Sequence, residues 1–284
     1  MTNIPKASIT TDLDKTKMPK KIKSVMPPIG LGTWKLQGEE CERAIRLALD
    51  LGYRHIDTAD MYQNHREIGR AIKTHAREDL YLVSKVGFHD LLPEKLHEAV
   101  SRFLKELQTD YLDLLLIHWP NPAVSLMDTL QAMQNLKNQG KIKEIGVSNF
   151  VRSHLEQIAS TPFSIFTNQI ELHPYFQRKA LTAACQKMGI TITAYRPLAK
   201  GIFEKDPTLQ KIGSSHGKSA SQIALRWLTQ QGFAAIPKTT NPKHLKENLD
   251  IFNFSLSQNE MQEIERLNQN QRFCAPADMP IVED

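Results

Sequence analysis

The stretch LDLLLIH, residues 112–118, is a short apolar run that ends in a side chain capable of acid–base chemistry. The same arrangement recurs along the chain, where HID ends at Asp57, YLVSK at Lys85 and ITAY at Tyr195. Short apolar runs of this kind are typical of buried parallel strands. Polar groups collected at one end of successive parallel strands form the active site of a β/α barrel. The pattern therefore predicts an enzyme.

Strand-like and helix-like segments alternate along almost the whole chain. Eight strand-like runs begin near Ile29, Arg54, Leu80, Leu112, Glu144, Phe166, Thr191 and Phe233. The segments between them carry apolar residues at helical spacing, for example Leu96, Val100, Phe103 and Leu107. Strands that alternate with helices indicate parallel pairing through right-handed crossovers. Eight such units favour an α/β fold of the (β/α)8 TIM barrel type, with the active site at the C-terminal ends of the strands.

The two ends of the chain and the connection between the seventh and eighth strands depart from this alternation of strands and helices. We expect residues 1–24 to form a flexible N-terminal arm and residues 25–284 to form a single barrel domain. The long segment between the seventh and eighth strands predicts an extra loop with a short helix over residues 200–217. Met261, Ile264 and Leu267 predict one more helix. The tail over residues 272–284 is then expected to wrap over the site and shape specificity.

Composition and charge narrow the class of protein. The 284 residues are 40% hydrophobic and 24% charged, which is ordinary for a soluble globular chain. The net charge is +5, and part of the excess lies in lysines between positions 15 and 23. That segment has no aromatic residues to stack on bases, so a solvated arm is favoured over a nucleic-acid tail. The three separated cysteines fit a reducing compartment. With neither a signal peptide nor a long apolar run, we expect a cytoplasmic protein without membrane partners.

Motifs for several other chemistries are missing from the sequence. GLGTWK, residues 30–35, lacks the third glycine of the dinucleotide-binding fingerprint of the doubly wound fold. The sequence has no His-Glu-x-x-His and no other histidine pair at ligand spacing, so no metal site is expected. It also has no Gly-x-Ser-x-Gly elbow and no phosphate-binding Walker loop.

Seven motifs, in order along the chain, resemble those of the aldo-keto reductase family. They are GLGTW (30–34), HIDTA (55–59) followed by Tyr62, SK (84–85), LIHWP (116–120), GVSNF (146–150), NQIE (168–171) and IPK (236–238). The resemblance runs from about Pro28 to the C-terminus and is closest to the bacterial branch of 2,5-diketo-D-gluconate and methylglyoxal reductases. It implies a monomeric enzyme that reduces small dicarbonyls and sugar-derived carbonyls to alcohols. The implied hydride donor is NADPH, with NADH possible.

The resemblance implies four catalytic residues, Asp57, Tyr62, Lys85 and His118. Carbonyl reduction needs a proton donor at the carbonyl oxygen, and Tyr62 is the candidate, although a free phenol has a pKa of about 10. The Lys85 ammonium, held in place by Asp57, would favour the phenolate and lower that pKa. His118 would donate a hydrogen bond that orients the substrate oxygen.

The same resemblance implies which residues contact the cofactor. They are Thr33, Asp57, Ser148, Asn149, Gln169, Tyr195, Leu198, Lys238, Thr239, Thr240, Asn241, His244, Glu247 and Asn248. Tyr195 is expected to stack on the nicotinamide, and the segment from residue 238 is expected to bind the 2′-phosphate. The family usually has arginine at the position of His244. Histidine is a weaker and pH-dependent substitute, which Lys243 could compensate.

The substrate pocket and the alternatives to a reductase complete the sequence-based expectations. Trp34, Phe88 and Trp119 are expected to line the pocket, although packing at the barrel rim would also explain them. His65 stands where the family commonly has glutamate, and we expect this change to have no mechanistic effect.

One alternative to a reductase is a non-catalytic NADP(H)-binding regulatory protein on the same fold. A barrel hydrolase or lyase would need paired carboxylates or a metal, and Glu171 is the only spare carboxylate at a strand end.

Overall fold

The computed structural model describes residues 26–274, and eight strands in this part of the chain form one parallel sheet. The strands are β1 (Gly30–Gly32), β2 (His55–Asp57), β3 (Tyr81–Val86), β4 (Leu112–Ile117), β5 (Ile142–Ser148), β6 (Thr167–Glu171), β7 (Thr191–Tyr195) and β8 (Ala234–Ala235). Each strand pairs with the next one along the chain. The predicted N-terminal arm and the tail after residue 274 lie outside the described residues.

The first and last strands also meet, so the sheet closes into a barrel. The backbone N–H of Ala235 donates to the carbonyl of Pro28 at 2.8 Å, and that of Gly32 donates to Pro237 at 3.1 Å. A Cβ at Gly32 would lie 2.8 Å from the carbonyl oxygen of Ile236. Only glycine therefore permits this close approach between the strands. The predicted (β/α)8 TIM barrel is confirmed.

Helices cover the outside of the barrel. They are α1 (Gly38–Asp50), α2 (His65–Ile72), α3 (Pro93–Leu107), α4 (Leu126–Asn138), α5 (Arg152–Ala159), α6 (Lys179–Lys187), α7 (Pro207–His216), α8 (Ala220–Gln230), α9 (Pro242–Leu249) and α10 (Gln258–Glu265). Within residues 26–274 none of them has the length and apolar character needed to cross a membrane.

The helix predicted in the long connection after the seventh strand and the helix predicted near the C-terminus are both present, although their bounds differ from those expected. The long connection after β7 holds a 3₁₀ segment, Ala199–Lys205, and then α7. The last helix, α10, begins after the cap residue Ser257, whose side chain accepts from the backbone N–H of Glu260. It ends at Glu265, so Leu267 lies beyond it although the apolar spacing included that residue.

Alternation along the strands decides which side chains enter the barrel. On β3, Tyr81 and Val83 pack with Leu114 inside the barrel, whereas Leu82 belongs to the layer between strands and helices. Successive side chains of a strand point to opposite faces. Lys85 therefore continues the inward series, and as the last inward residue of β3 it lies near the C-terminal end of the barrel.

The buried carboxylate of Asp113 lies at the opposite end of the barrel, near the start of β4, and it connects three neighbouring strands. Asp113 accepts from Arg77 Nη2 at 2.7 Å, from Lys143 Nζ at 3.0 Å and from the backbone N–H of Leu82 at 3.0 Å. The guanidinium carbon of Arg77 and Nζ of Lys143 also lie 3.9 and 3.8 Å from the centroid of the Tyr111 ring. Asp113 thus joins β3, β4 and β5 far from the polar ends described below.

Replacing this carboxylate tests its contribution to stability. Asp113→Ala should lower the free energy of unfolding by about 2–4 kcal/mol, because it removes the counter-charge of Arg77 and leaves the Leu82 N–H without its acceptor. Urea unfolding followed by circular dichroism measures the change. The control is Asp110→Ala at an exposed carboxylate, which should shift stability by less than about 0.5 kcal/mol. Equal effects of the two variants would contradict the role given to Asp113.

Candidate active site

A buried ion pair lies at the C-terminal end of the barrel. Lys85 Nζ donates to Asp57 Oδ1 at 2.5 Å and to the carbonyl oxygen of Thr58 at 2.8 Å. The other carboxylate oxygen, Asp57 Oδ2, accepts from Gln169 Nε2 at 2.7 Å. Lys85 is 0% exposed and Asp57 1% exposed. Such a pair persists away from water only because each charge is neutralised and hydrogen-bonded.

The loops that follow β1 and β2 hold Asp57 in this position. The carbonyl oxygen of Asp57 accepts from both the backbone N–H and the hydroxyl of Thr33, at 3.1 and 2.9 Å. Asn64, which is fully buried, donates to the carbonyl oxygens of Thr33 and Leu36 and accepts from the Thr58 hydroxyl at 2.6 Å. These contacts fix the approach of the two strand ends before any ligand is bound.

Tyr62 is carried to the ion pair by the short 3₁₀ helix Asp60–Tyr62. Lys85 Nζ lies 5.0 Å from the centroid of its ring. The imidazole of His118 meets the same ring edge-on, with centroids 5.8 Å apart and an interplanar angle of 78°. The structure therefore brings all four predicted catalytic residues together, although they come from three different strand ends and one loop.

The pKa of Tyr62 differs from the sequence-based expectation. Burial raises the pKa of its phenol well above the ordinary value, and the negative charge of Asp57 raises it further. Burial also lowers the pKa of the Lys85 ammonium, while Asp57 opposes that change. In the ligand-free chain the net direction is therefore upward, whereas the sequence-based expectation is that Lys85 favours the phenolate.

His118 is held as a neutral imidazole. Burial lowers its pKa well below the ordinary value, and the nearby Lys85 charge lowers the pKa further. Its backbone N–H donates to the carbonyl of Val86 at 3.1 Å, and its own carbonyl oxygen accepts from Asn149 Nδ2 at 3.0 Å. Within residues 26–274, Nδ1 has no hydrogen-bond partner. A neutral ring has one N–H to donate, as a group that orients a substrate oxygen requires.

A second group of polar side chains lies at the ends of β5, β6 and β7. The hydroxyl of Ser148 donates to the carbonyl oxygen of Gln169 at 2.8 Å. Asn149, at a left-handed φ of 62°, donates to Ser148 Oγ at 3.0 Å and accepts from the Tyr195 hydroxyl at 2.8 Å. The structure therefore brings the predicted nicotinamide-binding residues together, beside the carboxylate to which Gln169 donates.

The predicted phosphate-binding segment forms the loop before α9. The hydroxyl oxygen of Thr239 accepts from the backbone N–H of Asn241, whose Oδ1 accepts from that of Lys243. His244 is exposed on the first turn of α9. Asn248 behaves differently, because it is buried and its side chain hydrogen-bonds with the hydroxyl of Tyr53.

The remaining residues predicted to contact the cofactor lie in the loop before α9, in α9 itself and in the loop after β7. Lys238 and Asn241 are exposed, Thr240 and Glu247 are partly exposed, and Leu198 is half-buried at the start of the 3₁₀ segment after β7.

A cavity of about 610 Å³ opens beside His118. Phe88 and Trp119 line it, together with charged side chains that include Asp60 and Arg102. Trp34 is not among its lining residues and lies 41% exposed at the end of β1. The three predicted substrate residues are therefore divided between this cavity and a separate part of the rim.

The chain after α10 is tied back to the end of β6. The buried carboxylate of Glu171 accepts from the backbone N–H groups of Phe273 and Cys274 at 2.6 and 2.8 Å. Burial raises the pKa of Glu171, but hydrogen bonds from His173 and these backbone groups outweigh it, and the net shift is downward. The sequence pattern marked Glu171 only as a spare carboxylate. The structure assigns it to holding the tail.

His65, the departure noted in the sequence, fills a buried polar position behind the site. Its Nε2 lies 2.9 Å from the hydroxyl oxygen of Ser84, the residue next to Lys85. Its Nδ1 lies 3.6 Å from a carboxylate oxygen of Glu106. Burial lowers the pKa of His65 to about 4.

Comparisons with known proteins agree with this geometry. A model of the aldo/keto reductase family matches residues 28–269. The barrel, with its polar groups at the strand ends, is that of an oxidoreductase, and the chain belongs to the aldo-keto reductase family.

Three relatives illustrate the similarity. The chain is 41% identical to the glyoxal reductase of Bacillus subtilis over 251 residues, which cover 87% of this chain and 91% of that protein. It is 40% identical to a methylglyoxal reductase of Salmonella typhimurium over 257 residues, 88% of this chain and 92% of that protein. A crystal structure assigned as a 2,5-diketo-D-gluconic acid reductase B superposes with a TM-score of 0.87 at 37% identity, covering 89% of this chain and 92% of that one.

The buried histidine gives the stability a defined pH dependence. The pKa of His65 is about 4 in the folded chain and about 6.5 when unfolded, so between these values the unfolded chain binds more protons. Its contribution is complete above pH 6.5 and is lost as the pH falls towards 4. His65→Gln should therefore reduce the loss of unfolding free energy between pH 7 and 4.5 by about 2 kcal/mol.

Urea unfolding at the two pH values measures this difference. His89→Gln, at an exposed histidine, is the matched control and should keep the wild-type pH dependence. If the wild type and His65→Gln lose the same stability on acidification, the assignment to His65 is wrong.

Proposed function

We propose that this protein reduces aldehydes and ketones, including small dicarbonyls and sugar-derived carbonyls, to alcohols with NADPH. We further propose that it does so in the cytoplasm and as a monomer. The observation that carries the proposal is the convergence of Tyr62, His118 and the buried Lys85–Asp57 pair beside a cavity. The reductase activities named for the Bacillus and Salmonella relatives support the same reaction class.

The residues present fit a nicotinamide dinucleotide. The carboxamide of a nicotinamide has one donor and one acceptor group, and Ser148, Asn149 and Gln169 offer hydroxyl and amide partners of both kinds. The Tyr195 ring, which ends β7 beside them, would support the face of the nicotinamide. When bound, the reduced cofactor supplies the hydride that is added to the carbonyl carbon.

The proton that balances the hydride comes from Tyr62. A phenol has an ordinary pKa of about 10, so Tyr62 carries its proton at neutral pH, and the raised pKa in the ligand-free protein keeps it protonated. Transfer of this proton to the carbonyl oxygen leaves a phenolate, which water then reprotonates. The Lys85 ammonium, 5.0 Å from the ring centroid, stabilises that phenolate only as it forms.

His118 orients the substrate oxygen towards Tyr62. A neutral imidazole donates a hydrogen bond without competing for the proton that Tyr62 transfers, and its low pKa keeps it neutral across the physiological range. Its ring borders the cavity that Phe88 and Trp119 line. A carbonyl group that enters this cavity would meet His118, and the ring of Tyr62 lies edge-on against that imidazole.

NADPH is proposed over NADH because cations and hydroxyl groups follow one another in the loop before α9 and in the first turn of that helix. Lys238 and Lys243 supply positive charge, although Lys243 Nζ also lies 3.7 Å from Glu247 Oε1, and Thr239 and Thr240 supply hydroxyls close in sequence to the exposed His244. A phosphate monoester binds well to such a set. Histidine in place of the planar guanidinium makes this subsite weaker and dependent on pH.

The first test removes the proposed proton donor. Tyr62→Phe should reduce kcat for methylglyoxal or an aromatic aldehyde by at least about 100-fold, since the ring remains but the transferable proton is lost. NADPH oxidation followed by absorbance measures the rate, and fluorescence titration measures NADPH binding, which should change less than about twofold. NADPH binding without turnover in the wild type would favour the regulatory alternative. Equal loss of turnover and cofactor binding in the variant would contradict the role of Tyr62.

A second test concerns the choice of cofactor. His244→Arg should lower the Kd for NADPH by about threefold to tenfold, because a guanidinium pairs with phosphate through two hydrogen bonds and stays charged. The Kd for NADH, which has no 2′-phosphate, should stay nearly constant. His75→Arg, on the distant loop after α2, adds the same charge elsewhere and serves as the control. Tighter binding of both cofactors would indicate a general charge effect and contradict a phosphate contact.

A further inference from the structure

The proposed proton donor lies on a segment with little structure of its own. Tyr62 is the last residue of the three-residue 3₁₀ helix that begins at Asp60. The backbone N–H of Tyr62 donates to Ala59 and that of the next residue donates to Asp60, both at 3.0 Å. The middle residue, Met61, is exposed, so the turn gains little from apolar packing. A single turn is too short to be stable alone, and its position therefore depends on contacts from other elements.

The side chain of Tyr62 does not fix its own position. Among residues 26–274 the phenol has no hydrogen-bond partner, which leaves its oxygen available to a substrate. The ring is bordered by the edge-on imidazole of His118 and by the ammonium of Lys85. Ring contacts of this kind tolerate small displacements, whereas a hydrogen bond depends steeply on distance and angle. The backbone of the turn must therefore set the place of the phenol oxygen.

Two side chains from other elements hold this turn. Gln37, the residue before α1, donates from Nε2 to the carbonyl oxygen of Tyr62 at 2.5 Å. Arg102, on α3, donates to both carboxylate oxygens of Asp60, from Nη1 at 2.7 Å and from Nη2 at 3.1 Å. Two parallel hydrogen bonds between a guanidinium and a carboxylate fix the orientation of the pair as well as its distance. The start of the turn is thereby attached to α3.

Helix α3 gives this contact a fixed support. Phe103, next to Arg102, is fully buried, and its ring contacts that of His65 with centroids 4.8 Å apart. A closely packed helix of this kind is held in place along its buried face. The carboxylate of Asp60, followed by that of Glu106, raises the pKa of Arg102, so the guanidinium stays charged.

Asp60 has no second support on the side of the cavity. In the described residues, Arg102 supplies the only hydrogen bonds to its carboxylate. The neighbouring position in the loop after β3 is Gly87, where an added Cβ would lie 4.0 Å from Asp60 Oδ2. Asp60 and Gly87 both line the cavity, so no side chain from that loop packs against the carboxylate. Loss of Arg102 would therefore leave the carboxylate free to turn towards water and would release the start of the turn.

We propose that Arg102 is a positioning residue, which holds Tyr62 in place for proton transfer by fixing Asp60. This inference rests on the proposed reductase function and extends it to a residue 42 positions from Asp60 in the sequence. The pair forms before any substrate binds, so the donor needs no ordering during the reaction. A donor displaced by about 1 Å can lower a rate about 100-fold.

Arg102 also lines the cavity, so a direct contact with the substrate is the alternative role. The two roles affect different kinetic quantities. A positioning residue changes the rate of the chemical step by a similar factor for every substrate. A substrate contact changes apparent affinity, and by an amount that depends on the substrate. A role through Asp60 also requires that the effects of changing the two residues are not additive.

The first measurement is the single-turnover rate of NADPH oxidation with two uncharged substrates, methylglyoxal and 4-nitrobenzaldehyde. Arg102→Met should lower this rate about tenfold for both and change the half-saturating substrate concentration and the Kd for NADPH less than about twofold. Arg102→Lys, which keeps the charge, should restore part of the rate. Arg70→Met is the matched control and should keep the wild-type rate. It removes a guanidinium of similar exposure, 46% against 48%, that pairs with Glu42 outside the site.

A double-mutant cycle shows whether Arg102 acts through Asp60. Asp60→Asn alone should lower the single-turnover rate about threefold to tenfold, and adding Arg102→Met should lower it less than about twofold further. Hydrogen exchange over residues 59–64 gives a readout that is independent of turnover. The backbone N–H groups of this turn should exchange at least about threefold faster in Arg102→Met and at the wild-type rate in Arg70→Met.

Each other outcome overturns a defined part of the inference. Unequal losses for the two substrates, or a loss confined to the half-saturating concentration, would assign Arg102 to substrate binding. Additive effects in the cycle would exclude a role through Asp60, and an unchanged single-turnover rate would refute the positioning role. If the wild type reduces neither compound, the proposed function fails. Hydrogen exchange then decides alone, and equal exchange in the wild type and Arg102→Met would overturn the attachment of the turn as well.

Discussion

The buried pair of Lys85 and Asp57 is the interaction on which the site depends. Two charges removed from water are tolerated only with close pairing and further hydrogen bonds, which Thr58 and Gln169 supply. The pair requires β2, β3 and β6 to hold their registers, because a shift by one residue would turn these side chains to the other face. The fold and the chemistry are therefore specified by the same contacts.

The barrel supplies the rigid part of the site, and loops and tail supply the variable part. Strand ends hold Asp57, Lys85 and His118 in the barrel wall, whereas Tyr62 lies on a short 3₁₀ segment. The rim of the site is assembled from loops that are distant in the sequence. In a barrel of this type, changes at the rim can alter what enters the site and leave the buried pair untouched.

The sequence predicted the barrel and the gathering of polar side chains at one end of it, because both depend on local patterns. Apolar runs locate strands, and the residue that ends each run is fixed at the same end of the barrel. The tether from Glu171 to Phe273 and the contact of Arg102 with Asp60 could not be predicted in this way. They depend on how loops without periodicity fold over one another and over the helices. The upward shift of the Tyr62 pKa in the ligand-free chain could not be predicted either, because it depends on burial, which no spacing reveals.

The tether also has a consequence for how the protein matures during synthesis. Glu171 and Phe273 are 102 residues apart in the chain. At a synthesis rate of about 5–20 residues per second, roughly 5 to 20 seconds pass between the two residues. During that interval β6 has been made, but the carboxylate that ends it lacks its backbone donors, and Arg196 lacks the carbonyl group of Phe273 to which its Nη1 donates. The growing chain thus contains Asp57, Tyr62, Lys85 and His118 well before it contains the tail segment that the Glu171 carboxylate holds.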